Sequence, residues 1–373
     1  MLILGPLWDM SRTTDRRGGR DGSPRVVVVD DSPFMRGLIS DLLSDAGVAV
    51  VGEAGDGEEA LSVVAETRPD VVTMDVEMPG MGGLEAVERL MDETPTPVLM
   101  LSAHTDEGAE VTFDALDRGA VDFFAKPGGE VSTGVSRESD RLVEAVRSVA
   151  DADLDAATRE RDEPSAGRSR SAKSDTDPSA VDVDGPLTVV IAASTGGPNA
   201  VERVLSALPM ADCRVVIVQH MPEAFTSRFA DRLDAASAYD VREASDGARI
   251  GAGEALVARG GSHTRIDSYR SGRLRVKLDE DDESHTVTPA ADVTMRSAAE
   301  VIDDPLVGVV LTGMGSDAAD GIRAMADAGA RTIAQSEDTC VIYGMPKRAV
   351  ETGGVDEVYD LDDVAGAIVG GEA

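Results

Sequence analysis

The chain has 373 residues, 42% of them apolar and 3% aromatic, which is long enough for two ordinary domain cores. Its 70 acidic and 35 basic residues give a formal charge of −35. That charge argues against nucleic acid as a partner, because neutralising phosphates needs a basic face. Cys213 and Cys340 lie far apart without metal-ligand spacing, so neither a zinc site nor a disulfide framework is suggested, and a reducing cytoplasm fits.

Residues 1–24 open with the apolar MLILGPLW, too short for a membrane span and followed by an Arg-rich polar stretch. They read as a disordered leader, or as a start placed too early with Met10 the true start. From Pro24, apolar runs alternate with helical stretches: RVVVVDD, PFMRGLISDLLSDAG, VAVVGEA, GEEALSVVAETRP, DVVTMD, LEAVERLMDE, PVLMLSA, EGAEVTFDALDRGA and VDFFAKP. A helix near ESDRLVEAVRSVA closes the series. Five strands and five helices over 25–150 predict a doubly wound (βα)5 α/β domain. Residues 151–185 hold charge, Ser, Asp and Pro with almost no large apolar residue, which predicts a flexible linker. A second βα series fills 186–373, opening with LTVVIAAS and RVVIVQH. It has a β-rich middle around YDVREAS, EALVARGG and YRSGRLRV, then returns to strands PLVGVVLTGM and RTIAQSE. The C-terminal domain is therefore also α/β, with a mostly parallel sheet.

Polar residues stand where the strands of the first domain end: Asp30, Asp31, Asp75, Ser102 and Lys126. In an open parallel sheet these ends share one edge, where ligands bind. Carboxylates crowded there repel unless a hard divalent cation sits among them, and Mg²⁺ takes one or two carboxylates plus phosphate oxygens. The arrangement resembles the receiver domain of two-component response regulators. That resemblance implies Asp75 as phosphoacceptor, Asp30 and Asp31 as the acidic pocket, and Mg²⁺ on Asp31, Asp75 and the Glu77 carbonyl. It also implies Lys126 on the phosphoryl oxygens, Ser102 as the switch hydroxyl and Phe123 as the rotating aromatic.

In the second domain Ser194, His220 and Asp317 follow LTVVIAA, RVVIVQ and LTGMGS. Ser194 reads either as a helix N-cap or as a nucleophile on a tight turn. A nucleophilic serine needs an imidazole to take its proton and an acid to orient that imidazole, and each role has an occupant. His104, His263 and His285 sit in polar or turn-rich segments instead. The turn is close to G-x-S-x-G with Ala192 at the first glycine, but the order Ser, His, Asp is not that of α/β-hydrolases. A phosphate-cradling reading of STGGPNA lacks G-x-G-x-x-G and a P-loop lysine.

The segments IAASTGGP, QHMPEAFTSRFADRL, PAADVTMRSAA, LTGMGSDAADG and IYGMPKRAV, after a receiver-like domain, resemble the chemotaxis protein-glutamate methylesterases. The resemblance implies a Ser194, His220, Asp317 triad with Met314 and Thr195 at the oxyanion site, and no cofactor for the esterase step. It implies methyl-accepting chemotaxis receptors as substrate, deamidation of receptor glutamines, a chemotaxis histidine kinase as phosphodonor, and a cytoplasmic location without membrane insertion. The alternative is a non-catalytic output module that binds a partner on phosphorylation. The acidity, spread over both halves, is similar to that of haloarchaeal proteins, and like charge at this density repels itself when unscreened. Melting temperature and activity should fall as KCl drops from about 3 M to about 0.1 M. An unchanged melt across that range would remove the halophilic reading.

Overall fold

The computed structural model describes residues 22–102, 106–126, 135–154, 156, 185–280 and 285–370. Residues 1–21 of the expected leader 1–24, His104 and residues 157–184 of the expected linker lie outside them.

The first domain runs β1 (Arg25–Val29), α1 (Pro33–Asp45), β2 (Ala49–Ala54), α2 (Gly57–Thr67), β3 (Val71–Asp75) and α3 (Gly83–Glu93). It continues with β4 (Val98–Ser102), α4 (Asp106–Asp117), β5 (Asp122–Ala125) and α5 (Val135–Ala150). The sheet order is β2-β1-β3-β4-β5, with every pair parallel. Val26 to Val29 are all fully buried, as a β-branched strand covered on both faces requires. Local chemistry sets the helix starts: Ser32 accepts the Met35 N–H ahead of Pro33, and Asp56 accepts the Glu59 N–H while Glu59 reaches back to Gly55. The winding reverses beside β1, so the loops after β1 and β3 frame one crevice.

The second domain runs β6 (Leu187–Ala193), α6 (Gly197–Ala207), β7 (Cys213–Gln219), α7 (Glu223–Ala236), β8 (Asp240–Glu243), β9 (Arg249–Ile250), β10 (Glu254–Val257), β11 (Ser262–Arg270) and β12 (Arg273–Glu280). Then come α8 (Ala291–Val301), β13 (Leu306–Val310), α9 (Ala319–Asp327), β14 (Arg331–Gln335), α10 (Met345–Glu351), β15 (Glu357–Tyr359) and α11 (Leu361–Ile368). Seven parallel strands take the order β15-β14-β13-β6-β7-β10-β8. The chain leaves β6 toward β7 on one side and later returns to β13 on the other, so the end of β6 is the switch point of the sheet. The β-rich middle places β8 and β10 at the sheet edge and gathers β11, β12 and β9 into a separate antiparallel sheet. Its hairpin turns at Ser271 and Gly272, both at positive φ (48° and 75°).

The segment read as a linker from Asp151 begins as packed chain. Asp153 N–H donates to the Val341 carbonyl (3.0 Å), and Ala152 and Leu154 pack on a core cluster that includes Val341. Burial at that distant loop, which composition does not report, overrides the polar reading of these first residues. Both cysteines are buried, and burial pushes the Cys213 thiol up to about 12. Among the described residues no helix is long and apolar enough to cross a membrane.

Candidate active site

At the switch point the backbone turn is fixed before any chemistry is considered. Ser194 N–H donates to the Thr312 carbonyl (3.0 Å), tying the end of β6 to the segment after β13. Gly196 then takes a left-handed conformation (φ 74°), which a side chain would resist. A Cβ on Gly197 would come within 2.2 Å of Gln219 Oε1, so the turn closes only on two glycines. The N-cap of α6 is Gly196, with no side-chain capping bond. Ser194 therefore does not cap the helix, and its half-buried hydroxyl is left for other work.

Ala193 lies opposite Gln219 in the β6–β7 register, which sets Ser194 and His220 side by side at adjacent strand ends. His220 Nε2 is 2.7 Å from Asp317 Oδ2, with both side chains about one-tenth exposed (10%). Asp317 also accepts the Ala291 N–H on Oδ2 (2.6 Å) and the Asp292 N–H on Oδ1 (3.1 Å). Burial would raise its carboxyl, but His220 and those two amides outweigh burial and hold it below the usual carboxylate range. The Ser194 hydroxyl makes no hydrogen bond to the imidazole among the described residues; such bonds commonly tighten only when substrate is bound. Of the rival histidines, His263 is buried with Nδ1 accepting the Ala290 N–H (3.1 Å), and its ring meets His285 edge-on at 5.0 Å. His263 thus binds the residue that precedes Ala291, whose amide Asp317 accepts.

Three neighbours were not singled out from the sequence. Gln219 Nε2 donates to the carbonyls of Ser194 (2.8 Å) and His220 (3.3 Å), holding the two strand ends together. Thr312 donates its hydroxyl to the Thr195 carbonyl (3.0 Å). Gly313 lies so close that a Cβ there would come within 2.8 Å of Ser194 Cβ and 2.5 Å of Met345 Sδ. Next to it stands Met314, 37% exposed, with a backbone N–H that no other backbone group takes among the described residues. Their only signal in the sequence is adjacency to the motifs, in QH and LTGMG. Gly313→Ala should displace Ser194 and lower kcat by roughly a hundredfold, the scale on which a small misplacement of a reacting group costs rate. Steady-state kinetics beside a thermal melt would separate this from unfolding, and an active, equally stable variant would disprove the close approach.

In the first domain Asp30, Asp31 and Asp75 offer carboxylate oxygens within 4.8 Å of one another. Lys126 Nζ reaches Asp75 Oδ2 (2.7 Å) and Asp30 Oδ2 (2.9 Å). Asp31, Asp75, Val76, Glu77, Ser102 and Lys126 line a cavity of about 250 Å³. Burial pushes the Asp75 carboxyl up, and Asp30 adds to this against the pull of Lys126. Burial would lower Lys126, yet Asp75 and Asp30 hold it above its ordinary value. Three carboxylates facing one ammonium leave uncompensated negative charge, and the oxygen donor set suits a hard divalent cation such as Mg²⁺.

Comparison with known proteins matches a family to each of the two domains. The response regulator receiver domain family matches residues 26–132, and the CheB methylesterase family matches residues 189–368. A protein-glutamate methylesterase/protein-glutamine glutaminase of Haloarcula marismortui is 58% identical over 359 residues, covering 92% of this chain and 96% of that one. This chain belongs to that family. A protein of the same description from Halobacterium salinarum is 56% identical over 346 residues, covering 92% of this chain and 96% of its own. The crystal structure of the Thermotoga maritima CheB methylesterase catalytic domain is 36% identical, covering 50% of this chain and 98% of that one, with a TM-score of 0.46. The haloarchaeal relatives fit the acidic composition.

The receiver and methylesterase domains meet directly. Phe123 of β5 lies 4.6 Å from Phe225 of α7, and Phe113 of α4 stacks on Phe229 at 5.9 Å (ring centroids). Four of the chain's six phenylalanines are thus spent on one contact. Arg232 of α7 lies over the Phe113 ring, donates to Asp117 (2.8 Å) and Asn199 (3.1 Å), and pairs with Glu202. Asp122, at the start of β5, accepts a hydrogen bond from the Thr195 side chain, one residue beyond Ser194. Val341, which packs against Gly196, is also the residue bonded by Asp153. The receiver side of the chain therefore touches the serine turn from two directions.

Proposed function

We propose that this chain hydrolyses glutamate γ-methyl esters on methyl-accepting chemotaxis receptors, releasing methanol in the cytoplasm, and deamidates receptor glutamines by the same acyl chemistry. The observation that carries the reading is the 2.7 Å contact of His220 with Asp317 beside a serine that caps nothing. Ser194 Oγ attacks the ester carbonyl as the His220 ring takes its proton. With Nε2 committed to Asp317, the nitrogen for that transfer is Nδ1. Negative charge developing on the carbonyl oxygen is met by the Met314 N–H with help from Thr195. The imidazolium returns its proton to the departing methoxide, and water then cleaves the acyl-enzyme by the same exchange. A carboxamide presents a similar carbonyl, so ammonia can leave in place of methanol.

Asp75 takes a phosphoryl group from a chemotaxis histidine kinase. Lys126 and Ser102 stand on the same cavity wall to receive the phosphoryl oxygens. Asp31, Asp75 and the Glu77 carbonyl would hold Mg²⁺, whose charge offsets that of the incoming phosphoryl group. The deciding experiment supplies methylated receptor to the full-length protein in molar KCl and measures methanol. Stoichiometric methanol with a matching loss of methyl mass from the receptor supports the reading, and receptor that keeps its methyl groups overturns it.

A further inference from the structure

The triad carboxylate is held by an arrangement that the reaction scheme above does not use. Helix α8 starts at N-cap Ala290, which has no capping side chain, and helix α9 starts at N-cap Ala318, which has none either. Each helix takes its cap from a carboxylate beside the other. Asp317, just before α9, accepts the Ala291 and Asp292 amides at the start of α8. Asp292, in the first turn of α8, accepts the Gly321 amide of α9 on Oδ1 at 2.6 Å. The two caps cross, and Asp292 is tied through its own N–H to the carboxylate that holds His220.

We infer that Asp292 is a positioning residue for the ester hydrolysis, fixing Asp317 through the crossed caps and lending negative charge that favours the imidazolium form of His220. The inference rests on the esterase reading. Uptake of a proton by His220 during attack places a cation beside two partly buried carboxylates whose repulsion it relieves. That relief is larger in the transition state than in the ground state, so it acts on kcat rather than on binding. Burial and the charge of Asp317 raise the Asp292 carboxyl to about 6, with the Gly321 amide and Arg296 opposing them and Asp320 adding to them. His220 reaches it through Asp317, while His263 of β11 packs on the same helix start through Ala290. A carboxyl raised in this way is ionised above about pH 6 and neutral below it. The folded state gains stability when it is neutral and loses that gain as pH rises through 6. Partly buried pairs are screened less than exposed ones, so the effect persists in molar salt.

Asp292→Asn keeps an oxygen for the Gly321 amide and removes the charge, whereas Asp292→Ala removes both. The test measures kcat and KM for methanol release against pH in the full-length protein, together with the NMR titration of the His220 ring, one of only four histidines to assign. Asp292→Asn should melt no lower than wild type at pH 8, yet lose about fivefold to tenfold in kcat with KM within about twofold. The acid limb of kcat/KM and the His220 titration midpoint should both move to lower pH by about half a unit to one unit. Asp292→Ala should melt lower as well. A purely structural role predicts full rescue by Asn, so an Asp292→Asn protein matching wild type in kcat and in the His220 midpoint overturns the inference. A midpoint that moves in a protein whose wild type releases no methanol supports the charge coupling and counts against the esterase reading instead.

Discussion

Ser194→Ala should lose on the order of 10⁴-fold or more in methanol release, while its melting temperature stays within a few degrees of wild type. The loss is large because the hydroxyl is the one atom that forms the acyl bond. Without it His220 and the oxyanion amides assist only a slow attack by water. The fold should survive because the hydroxyl caps no helix and the turn is closed by backbone groups: the Thr312 carbonyl on Ser194 N–H and the Ser194 carbonyl on Gly197 N–H (2.7 Å). Removing one half-buried oxygen therefore leaves no polar group stranded. Methanol release beside a thermal melt checks both halves. A folded Ser194→Ala protein with near-normal activity would sink the nucleophilic reading and leave His220 and Asp317 without a task.

The second large effect concerns the receiver. Asp122 on Thr195 and Phe123 against Phe225 set the receiver against the serine turn. The fragment 186–373 should release methanol tens of fold faster than the unphosphorylated full-length protein, equivalent to about 2 to 3 kcal/mol of docking. Phosphorylation should recover that gain in wild type and not in Asp75→Asn, because the phosphoryl group draws in Ser102 and Lys126 and changes the β4–β5 edge that carries Phe123. Acidity should act on the same contact. Burial raises the Asp122 carboxyl to about 7 from an ordinary value of 3.8, against its bonds from Phe123 N–H and Thr195. A carboxyl raised on docking favours the docked form while protonated, and that contribution is lost as pH rises through 7. The advantage of the fragment should therefore shrink between about pH 6 and about pH 8, and Asp122→Asn should flatten the dependence. A fragment slower than the full-length protein would show that the receiver assists catalysis, and the docking account would be abandoned.

Much of the architecture could be read along the chain. The alternation of apolar runs and amphipathic stretches places both parallel sheets, and residues at strand ends place Asp30, Asp75, Lys126, Ser194 and His220, because a parallel sheet brings those ends to one edge. The two readings of Ser194 were not separable that way. A serine before Thr-Gly-Gly-Pro looks the same whether or not it caps, and the answer lies in Gly196 acting as N-cap and in Gln219 packing on Gly197. Residues 151–156 read as linker because the apolar surface of Ala152 and Leu154 counts only once Val341 is beside it.

The amino-acid sequence by itself determined two α/β domains, the polar residues at their strand ends and the family, because period and motif are local properties that survive without any knowledge of distance. Only the tertiary structure decided that His220 and Asp317, 97 residues apart, share a hydrogen bond, and that Asp292 and Asp317 exchange helix caps. Only it decided that four phenylalanines close one domain against the other. Alternation along a strand or helix says that a side chain is buried, but its partner comes from another part of the chain. The charges that set a carboxyl near 6 or 7 are likewise distant in sequence, so these properties exist only once the two sheets have folded and met.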